Sequence, residues 1–430
     1  MGRLFLVFSI GALSLLSSYT IAILSGVILF LEKSYALTLL QKQELVSHIL
    51  LGALVGVVLA GPLADRYGRK IALFASAFFY GVGSLLSIAT SLIDVLLWGR
   101  LFTGIGVGIS SVVIPLYLAE MAKAERRGAV IALFQLCVTF GIFLAYLVNL
   151  AIAPDGNWKI PFQIALLLSC IGGASLFFVP ESPLWLLLHH REKEAKKILV
   201  ENEIAEHTHR PRKIAKRAGS AKFSDLFRKG LLSALSIAIL LSIFQQITGI
   251  NTVIYYGPTI FMSAGFNSLS ATLFATLGLG AVNVLVTAIT LPWIDRLGRR
   301  FLLLLGLTGM VVSLFILSLY FTSHIVALLA LVTYLIFFAI SLGPIVWVIV
   351  AEIFPLAFRG RAITLATFMN WLMNYVVSFS FLGVIEKVGY ANTYFGFGVI
   401  SFFALLFVYF FVPETKGKSL EEIQLYWERR

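Results

Sequence analysis

Twelve stretches of this chain are apolar for long enough to cross a bilayer: near residues 4–30, 46–64, 71–90, 95–118, 128–152, 160–179, 232–262, 270–294, 301–321, 325–351, 362–385 and 393–412. A helical span needs about 20 mainly apolar residues, and lipid admits only backbone whose polar groups are satisfied internally. Composition agrees, because 59% of the 430 residues are hydrophobic and only 13% are charged. So few charges could not cover a water-soluble fold of this size, so lipid is the outer solvent. The expected fold class is an all-α membrane protein with twelve transmembrane helices. The run from Leu4 lacks a signal-peptide cleavage pattern and is read as the first span.

A net charge of +12 could suggest a nucleic-acid partner, but its distribution argues against one. With this span assignment, 28 of the 33 Lys and Arg fall on one side. Lys33, Lys42, Lys159 and Lys387 fall on the other, and Arg100 lies within a span. Basic loops mark the cytoplasmic side, which places both termini there. Cys137 and Cys170 sit in apolar runs and read as small core residues, with no disulfide or metal site implied. No nucleotide-binding loop is present, and neither cofactor nor covalent chemistry is expected.

The chain repeats itself. Asp65-Arg66-Tyr67-Gly68-Arg69-Lys70 returns 230 residues later as Asp295-Arg296-Leu297-Gly298-Arg299-Arg300. Ala119-Glu120 and Arg127-Gly128 return as Ala351-Glu352 and Arg359-Gly360, and Pro180-Glu181 returns as Pro413-Glu414. Matching order at nearly constant offset implies two pseudo-symmetric six-helix bundles, with cargo bound between them. The expected organisation is a bundle over 1–179, a cytoplasmic linker with amphipathic helices over 180–230, a second bundle over 231–412 and a tail over 413–430. A helical stretch is expected near 191–206.

Each Asp-Arg-x-Gly-Arg turn joins two spans with almost no loop. Near these turns lie Glu120 with Arg126 and Arg127, and Glu352 with Arg359. Carboxylates and guanidiniums at neighbouring helix ends can pair in one conformation and separate in another. They are read as a cytoplasmic charge latch.

The turns, Gly99-Arg100 with Gly104-Ile105-Gly106-Val107-Gly108, and Pro180-Glu181-Ser182-Pro183 resemble the sugar porter family of the major facilitator superfamily. So do Gln245-Gln246-Ile247-Thr248-Gly249-Ile250-Asn251 with Tyr255-Tyr256, and Pro413-Glu414-Thr415-Lys416-Gly417. The resemblance covers essentially the whole chain. It implies the major facilitator fold and alternating access to a monosaccharide or polyol. Leu184 departs from it, standing where the family usually has Arg.

Sugar hydroxyls suit neutral amides, which donate and accept without the desolvation cost of a charge. Gln245, Gln246 and Asn251 supply amides in the seventh span. On an ideal helix Gln246 and Asn251 lie about 140° apart, so sharing one cargo requires distortion, for which Gly249 and Pro258 provide places. The resemblance adds Gln135, Asn283, Trp347, Asn370 and Trp371 as cargo contacts, and Tyr255 and Tyr256 as an external gate. Gly343-Pro344 is expected to break the tenth span as an internal hinge. Ala339 stands where animal facilitative glucose carriers have Glu, and Ser17 where bacterial relatives often have Phe. Hexoses, pentoses and cyclic polyols all remain open.

The resemblance also bears on coupling. Proton-driven members carry a first-span Gly-Tyr-Asp whose acid communicates with the fourth-span Arg. Here Thr20 replaces the acid while Arg100 remains, which implies a facilitative uniporter; a proton-coupled symporter is the alternative. A sugar sensor would need an output surface, and an organic-ion or drug antiporter a charged or broadly greasy site. Short loops point to a bacterial inner membrane, and a protein functional as a monomer is expected.

Overall fold

The computed structural model describes residues 2–89, 91–121, 127–201, 229–354 and 356–416. Helices dominate these residues, and no strand occurs among them. The first span consists of Gly2–Ala22 and Leu24–Tyr35, the second is Leu39–Tyr67, the third Arg69–Ala89 and the fourth Ile93–Met121. The fifth is Arg127–Ala151, and the sixth begins as Ile160–Ser175 and ends in a 3-10 turn. The seventh is Lys229–Ile247 followed by Ile250–Ser263. The eighth and ninth are Leu269–Leu297 and Arg299–Leu319, and the tenth is His324–Ile340 followed by Leu342–Glu352.

The last helical run, Leu356–Phe411, has 56 residues. Straight, it would reach about 84 Å, far beyond a hydrocarbon core of about 30 Å. Gly389, at φ 79°, turns it into the eleventh and twelfth spans. The sequence separated these spans at about this place; the helix instead continues to the turn itself.

The second and fourth spans approach at backbone distance. A Cβ at Gly52 or Gly56 would overlap carbonyls of Leu101 and Ile105, and one at Gly104 or Gly108 would overlap those of Ile49 and Ala53. Lipid offers no hydrophobic drive between helices, so such close packing of small residues supplies the association. The two halves meet where the second span packs on the eleventh, the fifth on the eighth and Leu24–Tyr35 of the first on Ile250–Ser263 of the seventh. The arrangement turns the usual pattern outward: Phe78 and Phe274 are 65% and 68% exposed, whereas Tyr19, Tyr80 and Tyr256 are fully buried.

After the sixth span, Ser182 caps the short helix Pro183–Leu188 through the amide of Trp185. Trp185 then donates from Nε1 to the carbonyl of Asp65 at 2.9 Å, tying the linker to the end of the second span. The expected helix near 191–206 is described as Glu192–Glu201.

Candidate functional site

Gly249 breaks the seventh span by adopting φ 93°, a left-handed conformation that glycine takes without penalty. A Cβ there would also strike the ring of Phe397. The break brings Gln246 and Asn251 together, and Asn251 Nδ2 donates to Gln246 Oε1 at 2.5 Å. Gln246 Nε2 donates to Asn370 Oδ1 at 3.0 Å, while Asn370 Nδ2 donates to Gln245 Oε1 at 2.7 Å and to the Ser242 carbonyl at 3.1 Å. Gln245 Nε2 reaches the carbonyls of Leu342 and Gly343 at 2.6 and 3.2 Å. Four amides from two spans thus form one buried network.

The network divides its members. Both donor hydrogens of Gln245 and of Asn370 are committed to protein acceptors, so these two mainly hold the frame. Gln246 and Asn251 each keep a donor hydrogen to offer. Asn283 is buried and Gln135 half-buried, and the side chain of neither hydrogen-bonds a described residue. Trp347 is half-buried on the helix that packs beside the fifth and seventh spans. Trp371 donates from Nε1 to Ser111 Oγ at 3.2 Å, across the boundary between the halves.

The tenth span does not break at Gly343-Pro344. The interruption is Ser341, at φ −127° and ψ −99°, and Pro344 falls in the first turn of the following helix. A missing amide hydrogen costs nothing in a first turn, so the proline starts this helix instead of ending the previous one.

Tyr255 and Tyr256 are buried at the end of the site away from the basic turns, and Tyr256 leaves helical geometry at φ −115°. Asn374 Nδ2 donates to the Tyr255 hydroxyl at 3.0 Å, Ser378 Oγ donates to Asn374 Oδ1 at 3.1 Å, and the Tyr256 hydroxyl donates to the Ser378 carbonyl at 3.0 Å. Sequence reading missed Asn374 and Ser378. They follow Asn370 at four-residue steps, a polar stripe that helical periodicity could have found.

At the basic end, Arg69 holds Glu120 in a two-pronged contact, with Nε to Oε2 at 2.9 Å and Nη2 to Oε1 at 2.8 Å. Arg299 repeats it with Glu352, Nη2 to Oε1 at 2.7 Å. Each pair lies within one half. Asp65 is exposed and 3.4 Å from Arg69, and Arg66 lies over the Tyr67 ring. Arg300 donates to the Tyr409 carbonyl, and the Arg296 carbonyl accepts from Lys416. Arg126 and the side chains of Arg127, Asp295 and Arg359 lie outside the described residues.

Two further carboxylates complete these corners. Glu181 accepts the backbone amides of Arg69, Lys70 and Ser182, and Glu414 those of Arg299, Arg300, Thr415 and Lys416. Both sit at a helix N-terminus, where the aligned dipole favours negative charge. Burial pushes the Glu414 carboxyl upward, but its four backbone donors outweigh burial and hold it below the ordinary range. Gly68 and Gly298 are required beside them, at φ 102° and 92°, since a Cβ would collide with each carboxylate. The sequence showed these glutamates as repeats without revealing their partners.

Arg100 is 1% exposed, and its partners are backbone: Nη1 donates to the Thr20 carbonyl at 2.6 Å and Nε to the Leu45 carbonyl at 3.3 Å. The Thr20 hydroxyl turns to the Ser17 carbonyl at 2.9 Å. Among the described residues no carboxylate pairs with Arg100.

Comparison with known proteins agrees with this architecture. The D-xylose transporter of Levilactobacillus brevis is 38% identical over 97% of this chain and 94% of its own. The arabinose-proton symporter of Bacillus subtilis is 34% identical over 96% and 92%. The solved structure of the major facilitator proton:xylose symporter XylE bound to 6-bromo-6-deoxy-D-glucose superposes with a TM-score of 0.87, at 30% identity over 99% of both chains. The family described as "Sugar (and other) transporter" matches residues 5–427, and this chain belongs to that family of transporters.

Proposed function

We propose that this protein carries a monosaccharide or polyol across a plasma membrane by alternating access, with cargo between the halves. The observation that carries this reading is the network of neutral amides at the break of the seventh span, in a chain belonging to a sugar-transporter family. Gln246 and Asn251 contact cargo, joined by Gln135, Asn283, Trp347 and Trp371, while Gln245 and Asn370 orient them. Tyr255 and Tyr256 close the outer side. The basic end and both termini face the cytoplasm, in keeping with the charge asymmetry. A bacterial inner membrane and a working monomer complete the proposal. The bundles over 1–179 and 231–412 rock about the site, joined by the linker over 180–230.

Transport is facilitative, because Thr20 cannot exchange a proton near neutral pH and Arg100 is held by backbone carbonyls. A second reading, proton symport, is favoured by the relatives whose names state it. Proteoliposomes loaded in turn with hexoses, pentoses and inositols should show counterflow for at least one of them. Absence of counterflow with every sugar would overturn sugar transport, and accumulation driven by an imposed pH gradient would replace uniport with symport.

A further inference from the structure

Pro258 lacks the amide hydrogen that would bond the carbonyl of Ile254, four residues earlier in the helix. The hydroxyl of Tyr146, from the fifth span of the other half, donates to that carbonyl at 2.8 Å. Three residues further along the same span, Asn149 Nδ2 donates to the carbonyl of Ile23 at 3.0 Å, where the first span is broken between its two helices. Tyr146 and Asn149 are 3% and 1% exposed, so both donors are shielded from bulk water. Tyr146 also lies along Gly280, where a Cβ would approach its ring to 2.8 Å. One face of the fifth span therefore holds both outer half-helices, Leu24–Tyr35 and Ile250–Ser263, which pack on each other.

The two bonds differ in what they join. Asn149 and Ile23 belong to the same half, so rocking of the halves leaves their bond intact. Tyr146 and Ile254 belong to opposite halves, so opening of this end must part them. We propose that Tyr146 is a positioning residue of the outer gate. Its hydroxyl, received by the carbonyl that Pro258 leaves free, holds the outer part of the seventh span closed and sets how often this end opens. The proposal rests on the alternating-access reading, but not on the identity of the cargo.

The test is a distance measured without sugar. Spin labels at Lys33→Cys and Asn267→Cys, both exposed at this end, report its opening in a background carrying Cys137→Ser and Cys170→Ser. Tyr146→Phe keeps the ring against Gly280 and removes only the donor. Loss of one neutral hydrogen bond should raise the ratio of open to closed distances by about 2- to 10-fold. In a Pro258→Ala background the restored amide serves Ile254 within its own helix, and Tyr146→Phe should change the ratio much less. Asn149→Ala should loosen the first span without shifting the ratio comparably. An unchanged distribution in Tyr146→Phe overturns the proposal. So does a shift of equal size in the Pro258→Ala background or in Asn149→Ala. Failure of every sugar to be transported would leave these distances unaffected and would count against the cargo reading alone.

Discussion

Gln246 and Asn251 are five residues apart, yet the left-handed turn at Gly249 joins their amides by a 2.5 Å hydrogen bond. Both retain donor capacity, whereas Gln245 has spent its own on the carbonyls of Leu342 and Gly343. Gln246→Ala and Asn251→Ala should weaken sugar binding by about 2- to 10-fold each, the effect of a neutral hydrogen bond, and by more if a cargo hydroxyl stays buried and unpaired. Gln245→Ala should lower the melting temperature as well, because it leaves two carbonyls and Asn370 unserved. Calorimetric titration beside thermal unfolding separates the cases. Unchanged affinity in folded Gln246→Ala and Asn251→Ala would remove both residues from the site.

The two charge pairs at the basic end look alike but differ in burial. The side chains of Arg69 and Glu120 are 6% and 5% exposed, while Glu352 beside Arg299 is 31% exposed. Removing one partner of a buried pair strands the other charge, at a cost of about 3–5 kcal/mol, while an exposed pair is worth about 0–1 kcal/mol. Glu120→Ala should therefore destabilise the protein more than Glu352→Ala, as read by thermal unfolding. Both should also raise the population open at the basic end, as read by spin-label distances across that mouth. Unchanged distances in both variants would leave these residues as local braces without a latching role.

Much of this was legible beforehand because lipid writes its constraint directly into sequence. Each span must be a long apolar run, and the paired Asp-Arg-x-Gly-Arg turns mark the same corner twice. The bend at Gly249 was legible too, since Gln246 and Asn251 would otherwise diverge. The break at Ser341 was not: the neighbouring Pro344 is the stronger local signal, yet it is harmless in a first turn. Glu181 and Glu414 were visible as repeats, but their amide partners lie 112 and 115 residues away. The union of Tyr146 with the carbonyl freed by Pro258 likewise needs the packing of the halves, which no local pattern contains.

Glu414 makes stability depend on pH. Its carboxyl is held below the ordinary value of 4.5 because the four amides at the start of the ninth span and in its own turn outweigh burial. A group whose folded value is depressed contributes stability that is fully present above the unfolded value and is lost as pH falls through the folded one. The group is half-buried, and partial solvent screening should keep its contribution to about 1 kcal/mol or less. Glu414→Gln should lower the melting temperature at pH 7, and the gap from the parent should shrink as pH drops below about 4.5. A gap that stays constant from pH 7 to pH 3 would show that the carboxylate charge contributes nothing.

Arg100 and Thr20 supply the last prediction. The arginine is bonded to the Thr20 carbonyl, not to its side chain, and the Thr20 hydroxyl faces the Ser17 carbonyl. Intramembrane proton relays use Asp, Glu or His, because only these exchange a proton near physiological pH. Among the described residues no acid pairs with Arg100, so none of them offers a carboxylate whose protonation would release this arginine. The unmodified protein should equilibrate sugar without concentrating it, at a rate insensitive to membrane potential and to a pH gradient. Thr20→Asp should add a titratable group beside a buried cation. That variant should acquire pH-dependent exchange, and if its protonation is linked to gate movement it should accumulate sugar when the outside is acidified. Uptake by parent and variant into proteoliposomes, with and without an imposed pH gradient, decides the matter. Proton-driven accumulation by the parent would sink the uniport reading. A variant that folds and binds sugar yet stays indifferent to pH would show that position 20 is no longer connected to coupling in this chain.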